Sequence, residues 1–342
     1  MKKLIIVTIL ILSVFFRANP ADLIGAGATF PYLLYSKMFS EYKKQYGIKV
    51  NYQAIGSGGG VRQIREKTVD FGASDAFLSD EEMKMFSDEV VHIPICAGAV
   101  VITYNLPGNP ELKLSQDVIA DIFLGKITKW NDPKIQKLNP EVKLPNLKVL
   151  VVHRSDGSGT TYIFSDYLSK ISKEWKKKVG AGKSLRWPVG VGAKGNSGVT
   201  GMIKQIPGTI GYVEFAYALQ NRLPIALIKN KSGKFIKPSI ETVKLSAETK
   251  LPDDMRVSLT DTDAPEGYPI TGFTWLIVYK ELKNGGLTYE KAKELINLLW
   301  WMVHDGQKYT VNLHYAPLSD LAQKKAEIIL RSITYEGKKL LD

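Results

Sequence analysis

The chain has 342 residues, 44% of them apolar and 23% charged, with one cysteine and four histidines. That much apolar content suits about two folded domains and excludes disorder as the main state, and a lone thiol excludes an intrachain disulfide and a thiolate metal cluster. The formal net charge of +12 predicts attraction to anions, be they nucleic acid, anionic lipid or a small acidic ligand.

Lys2 and Lys3 precede the apolar run Leu4 to Phe16, broken only by Thr8 and Ser13. A short basic segment before an apolar core of this length is the pattern of a secretory signal peptide, and the run is shorter than the ~20 residues a membrane-spanning helix needs. Cleavage after Ala18 or Ala21 fits; removal of residues 1–21 takes away Lys2, Lys3 and Arg17 and leaves the mature chain basic. No cysteine lies near that point to carry a lipid anchor, and no further long apolar run follows. The expectation is an exported chain without membrane insertion. Cys96, inside the apolar stretch Ile93 to Val101, reads as a small buried side chain.

Strands then alternate with helices. Ala21 to Gly27 reads as a short strand, and Pro31 opens a helix with Tyr35, Met38, Phe39, Tyr42 and Tyr46 at helical spacing. Ile48 to Tyr52 is a strand; Gly56 to Gly60 leads into a helix with Val61 and Ile64 inward. Val69 to Ser74 is a third strand, and Ser79 with Glu82 forms a capping box. Lys148 to His153 is a buried strand, followed by a helix with Phe164, Tyr167, Leu168 and Ile171 on one face. Leu295, Leu298, Leu299 and Met302 form a last helical face, stopped by Gly306. The alternation predicts an α/β fold with mostly parallel pairing. The lysine-rich stretches Lys173 to Lys178 and Lys229 to Lys237 read as solvated faces and turns.

Four turns share one chemistry: Gly25 to Pro31, Gly56 to Gly60, Ser74-Asp75-Ala76, and Arg154 to Thr161. Each follows a strand and is rich in glycine or hydroxyls. A helix start carries backbone N–H groups without partners and a partial positive charge, glycine admits a ligand to the backbone, and Ser or Thr adds a hydroxyl. Several such starts converging make an anion site without a metal, and in an open α/β sheet ligands sit beyond the carboxyl ends of the strands.

Nucleotide motifs do not account for these turns. Gly182-Lys183-Ser184 has the second half of a Walker A loop, but Lys177 stands where its first glycine belongs. Gly190 to Gly195 matches a dinucleotide fingerprint literally, yet Arg186 to Val189 before it make a poor buried strand, and Glu214 at ribose distance reads as chance. No Gly-x-Ser-x-Gly elbow is present, so Ser158 is a poor nucleophile.

In this order and spacing the turns resemble the periplasmic phosphate-binding protein of bacterial ABC phosphate importers. The segments that carry the resemblance are Gly25 to Pro31, Asn51 to Ser57, Val69 to Ala76 and Arg154 to Thr160, with lesser matches at Phe123 to Trp130 and Ile210 to Glu214. The resemblance implies a two-lobed periplasmic-binding-protein (type II) fold with a hinged ligand cleft. Residues 22–94 plus 270–342 would form one lobe and 95–269 the other. It implies phosphate ligands at Thr29, Phe30, Ser57, Asp75, Arg154, Ser158, Gly159 and Thr160, with Asp156 holding Arg154. Asp75 would accept a hydrogen from a phosphate O–H, which sulfate lacks. Two departures stand out: residue 153 is His where the family often has Arg, and residue 155 is Ser instead of a small apolar residue.

The expected function is high-affinity binding of inorganic phosphate in the periplasm and its delivery to an ABC permease, by a monomer, without enzymatic chemistry, cofactor or metal. A carrier of sulfate or a molybdate-like oxyanion is the nearest rival, and Asp75 argues against fully deprotonated oxyanions. A ferric-iron carrier would use a tyrosine pair, and no adjacent Tyr-Tyr occurs. A secreted phosphoryl-transfer enzyme would need a positioned nucleophile or metal. A nucleic-acid binder would show interleaved basic and aromatic residues, which are not seen.

Overall fold

The computed structural model describes residues 22–341; the signal-peptide reading of residues 1–21 lies outside them. The main sheet is built from β1 (Leu23–Gly27), β2 (Val50–Ala54), β3 (Phe71–Ser74), β4 (Val90–Tyr104), β5 (Leu150–Arg154), β6 (Val191–Ala193), β7 (Thr209–Glu214) and β8 (Ile270–Tyr279). Their order across the sheet is β2-β1-β3-β8-β4-β7-β5-β6, with Leu259–Thr260 on the side of β8.

Each end of this order is parallel. β1 pairs with β2 and β3, and β5 with β6 and β7. The middle is not: β8 runs antiparallel to β3 and β4, and β4 antiparallel to β7. The expectation of mostly parallel pairing is thus corrected. The outer strands are joined by crossover helices, which return the chain in the same direction. β4 and β8 instead carry the chain from one half to the other and back, so they must oppose their neighbours. β4 changes neighbour along its 15 residues, pairing with β8 up to Ala99 and with β7 from Val100 onward. β8 is buried along its whole length, as strands covered on both faces require.

The local predictions hold with small shifts. Pro31 caps the helix Tyr32–Tyr46, whose buried side is Leu34, Tyr35, Met38, Phe39 and Tyr42. The glycine run opens the helix Ser57–Arg65 with Ile64 inward, while Val61 is only half-buried. The Ser79–Glu82 capping box is present, but its helix is a single turn, Asp80–Met83. The strand ends at Arg154, one residue past His153. Leu295, Leu298, Leu299 and Met302 are fully buried in the helix Tyr289–Val303. Cys96 is buried and unpaired. The Lys173–Lys178 run is a short helix that buries Trp175 and turns its lysines outward, as a solvated face does.

Candidate anion-binding site

The strand ends place the four turns. β1 ends two residues before Thr29, β3 ends at Ser74 beside Asp75, and β5 ends on Arg154 itself. Close backbone approach makes this possible: a Cβ on Gly27 would lie 2.0 Å from the Ala73 carbonyl oxygen, so only glycine fits between the strands there.

The turns from the two halves of the sheet meet. The Gly159 N–H donates to Ser57 Oγ at 3.0 Å, and the Gly58 N–H donates to the Gly157 carbonyl at 2.8 Å. Thr29, Phe30, Ser57, Asp75, Arg154, Ser158, Gly159 and Thr160 are all buried. Hydrogen bonds join Ser57 to Asp75 and Gly159, Arg154 to Asp156 and Thr160, and Thr29 to Thr160 through Asn196, while Phe30 and Ser158 adjoin Thr29 and Gly159 in the chain.

Arg154 is the cation here. Its Nε and Nη2 donate to the two oxygens of Asp156 at 2.8 and 2.5 Å, and Nη1 donates to Thr160 Oγ1 at 3.3 Å. A guanidinium has five N–H donors, so one on each terminal nitrogen has no acceptor among the described residues. Burial pushes the Asp156 carboxyl up, but the hydrogen bonds and charge of Arg154 outweigh it, and the Gly195 N–H adds to them; Asp156 is held below the usual carboxylate range. The Phe30 N–H, fully buried, finds no acceptor among the described residues. Such an orphan donor marks a place for a ligand oxygen.

Ser57 Oγ accepts from the Asp75 and Gly159 N–H groups and faces Asp75 Oδ2 at a long 3.4 Å. Ser158 caps the helix Gly159–Ile171 by accepting the Thr161 N–H at 3.0 Å, and its own N–H is engaged by the Lys183 carbonyl. That leaves Ser158 its hydroxyl hydrogen alone. Asp75 Oδ1 accepts from Thr274 Oγ1 at 2.9 Å. Burial pushes the Asp75 carboxyl up to about 7, against the opposing pull of the Thr274 hydrogen bond and the Arg154 charge.

Compared with known proteins, residues 17–303 match the PBP superfamily domain. The chain is 42% identical to a phosphate-binding protein PstS from Pasteurella multocida, over 95% of this chain and 94% of that one. The PstS of Haemophilus influenzae is 44% identical over 89% and 90% of the two chains. The chain belongs to the PstS phosphate-binding protein family. The fold is also that of a phosphate-binding protein from Stenotrophomonas maltophilia, with TM-score 0.66, 18% identity, and coverage of 91% and 93%.

His153 and Ser155, the two residues expected to differ from the family, flank Arg154. His153 stacks on Trp187 with ring centroids 4.8 Å apart, and its Nδ1 faces the Arg154 carbonyl at 3.0 Å. Burial lowers its pKa, against the smaller opposing effect of the Arg154 backbone contact. Ser155, in the turn that follows Arg154, is exposed and donates its N–H to the Ala193 carbonyl across the sheet edge.

Sequence reasoning missed a fifth turn that bonds to these four. Gly195 and Asn196 follow β6 and open the helix Gly195–Gln205. The Gly195 N–H donates to Asp156, and Asn196 bonds both Thr29 and Thr160. The signal is in the sequence: another strand, glycine and helix start, overlapping the Gly190–Gly195 match that a poor preceding strand excludes as a dinucleotide site. Glu214, also set aside, is fully buried and accepts the Ala216 N–H on both oxygens as a helix cap.

No group of three or more metal-ligating side chains occurs among the described residues, and no helix there is long and apolar enough to cross a membrane.

Proposed function

We propose that the protein binds inorganic phosphate between two lobes and delivers it to an ABC import permease. The observation that carries this is the uneven polarity of one buried place. Free donors from Thr29, Phe30, Arg154 and Thr160 face it together with one carboxylate, Asp75. Phosphate near neutral pH is an acceptor that still bears a proton, so it matches both kinds of partner. The phosphate-binding proteins to which the chain is similar support the same reading.

In this proposal the ligands are Thr29, Phe30, Ser57, Asp75, Arg154, Ser158, Gly159 and Thr160, with Asp156 orienting Arg154. Residues 22–94 plus 270–342 form one lobe and 95–269 the other, with β4 and β8 as the crossings. The protein works in the periplasm after removal of a signal peptide, as a monomer, without catalysis. The ligand is carried and released unchanged.

Titration of phosphate-free protein with phosphate, then with excess sulfate, tests the reading. Saturable one-to-one binding at about 1 μM or tighter (~−8 kcal/mol), unmoved by sulfate, is expected. Displacement by sulfate would overturn it in favour of a general oxyanion carrier.

A second test uses the contact between the halves. A Cβ on Gly159 would lie 2.6 Å from Asp75 Cβ and from Ser57 Oγ, too close for any real contact. Gly159→Ala should hold the two sides apart and weaken phosphate about 10- to 100-fold, the range expected for overpacking by a methyl group. The thermal midpoint without ligand should barely move, since the clash falls across the cleft and not within a lobe.

A further inference from the structure

Asn196 is fully buried at the start of the helix Gly195–Gln205, and every polar atom of its side chain is engaged. Its Nδ2 donates to Thr29 Oγ1 at 3.0 Å and to Thr160 Oγ1 at 3.1 Å. Its Oδ1 accepts the Glu214 N–H at 3.0 Å. A backbone N–H can only donate, so the amide cannot be turned over: its oxygen must face Glu214 and its nitrogen the two threonines.

The threonines are then fully specified. Thr29 Oγ1 also accepts the Asn196 backbone N–H at 3.3 Å, and Thr160 Oγ1 also accepts Arg154 Nη1 at 3.3 Å. A hydroxyl oxygen has two lone pairs and one hydrogen. Both lone pairs of both oxygens are taken, and neither O–H has an acceptor among the described residues.

We propose that Asn196 is a positioning residue that sets the polarity of the site. By occupying the Thr29 and Thr160 oxygens it obliges both hydroxyls to present hydrogens to the anion. Left alone, each hydroxyl could turn a lone pair toward the ligand, as Asp75 does. With Asn196 in place, the Thr29–Thr160–Arg154 side offers donors only, and the acceptor is confined to Asp75. The inference rests on the phosphate reading above and adds to it a residue that makes the anion site directional without touching the ligand.

The test is a set of phosphate titrations on wild type, Asn196→Ala and Asn196→Asp, each also made in a Thr29→Val/Thr160→Val background. Losing direction at hydroxyls that bond a charged ligand should cost Asn196→Ala about 10- to 50-fold. Asn196→Asp, which turns the hydroxyls the wrong way, should cost over ~1000-fold. In the double-valine background there are no hydroxyls to orient, so Asn196→Ala should cost under about 3-fold. The fall in Asn196→Asp should shrink there as well, leaving the part due to its added charge. Equal losses in both backgrounds would overturn the proposal and leave Asn196 a merely structural residue. A measurement on the wild type needs no variant to fold: nuclear magnetic coupling between phosphorus and the Asn196 side-chain nitrogen would make that amide a direct ligand and also overturn it. Its absence, with coupling at the Arg154 guanidinium, is expected. If wild type itself fails to bind phosphate, the functional reading falls and this proposal with it; wild-type binding with equal backgrounds sinks this proposal alone.

Discussion

Arg154→Ala is expected to weaken phosphate binding about 10²- to 10⁴-fold, the factor for two hydrogen bonds to charged groups at ~1.5–3 kcal/mol each. The free N–H on each terminal nitrogen is the origin of that number, since a planar fork can reach two oxygens at once. The variant should also be less stable without ligand. Arg154 is 4% exposed, and its removal leaves the Asp156 carboxylate with only the Gly195 N–H of the partners it has now. Breaking a buried pair from one side costs about 3–5 kcal/mol. The uncompensated carboxylate would in addition repel the anion. Arg154→Ala/Asp156→Asn separates the two effects. Thermal melting should recover most of the lost stability, while titration should recover little of the lost affinity. Full recovery of affinity would mean that Arg154 acts only by neutralising Asp156.

Asp75→Asn should admit sulfate as a competitor where the wild type rejects it by ~10⁴-fold or more. The carboxylate sets lone pairs against any ligand oxygen that lacks a hydrogen, whereas the asparagine amide can offer it an N–H. The same variant should change how stability varies with pH. Asp75 lies near 7 when folded and, in an unfolded chain, near ~3.9. Between these values the folded protein keeps a proton that the unfolded chain has lost. The stabilisation from that difference is fully present below about pH 4, declines as pH rises, and is gone above about pH 7. Three units correspond to an upper bound of roughly 4 kcal/mol. Melting curves of the ligand-free proteins should therefore nearly coincide at pH 4 and separate at pH 8, with Asp75→Asn the more stable. Parallel curves across that range would show that Asp75 is ionised throughout.

Much of the site was legible because its chemistry is local. Gly56 to Gly60, Ser158 and Thr160 stand at helix starts, and the residues that cap a helix lie within three or four positions of the groups they cap. The family pattern then linked turns that no single motif connects. Asn196 was not legible by that route. Nothing in the few residues around it says that its amide reaches Thr29, 167 positions away, and Glu214 at the same time. The direction of β4 and β8 escaped local reading for a related reason: a buried apolar run looks the same in parallel and antiparallel sheets, and only the connections tell them apart.

The alternation of strands and helices, the glycine turns at the strand ends and the basic balance were readable without coordinates. These depend on periodicity and on neighbours within one turn of helix. Which donors lack acceptors among the described residues, which carboxylate is paired with Arg154 and which is pushed up by burial follow from the packing alone. Those properties come from burial and from contacts between residues 36 to 199 positions apart, such as Asn196 with Thr160 in one half of the sheet and Thr274 with Asp75 in the other, which lie in no common stretch of chain until the chain folds.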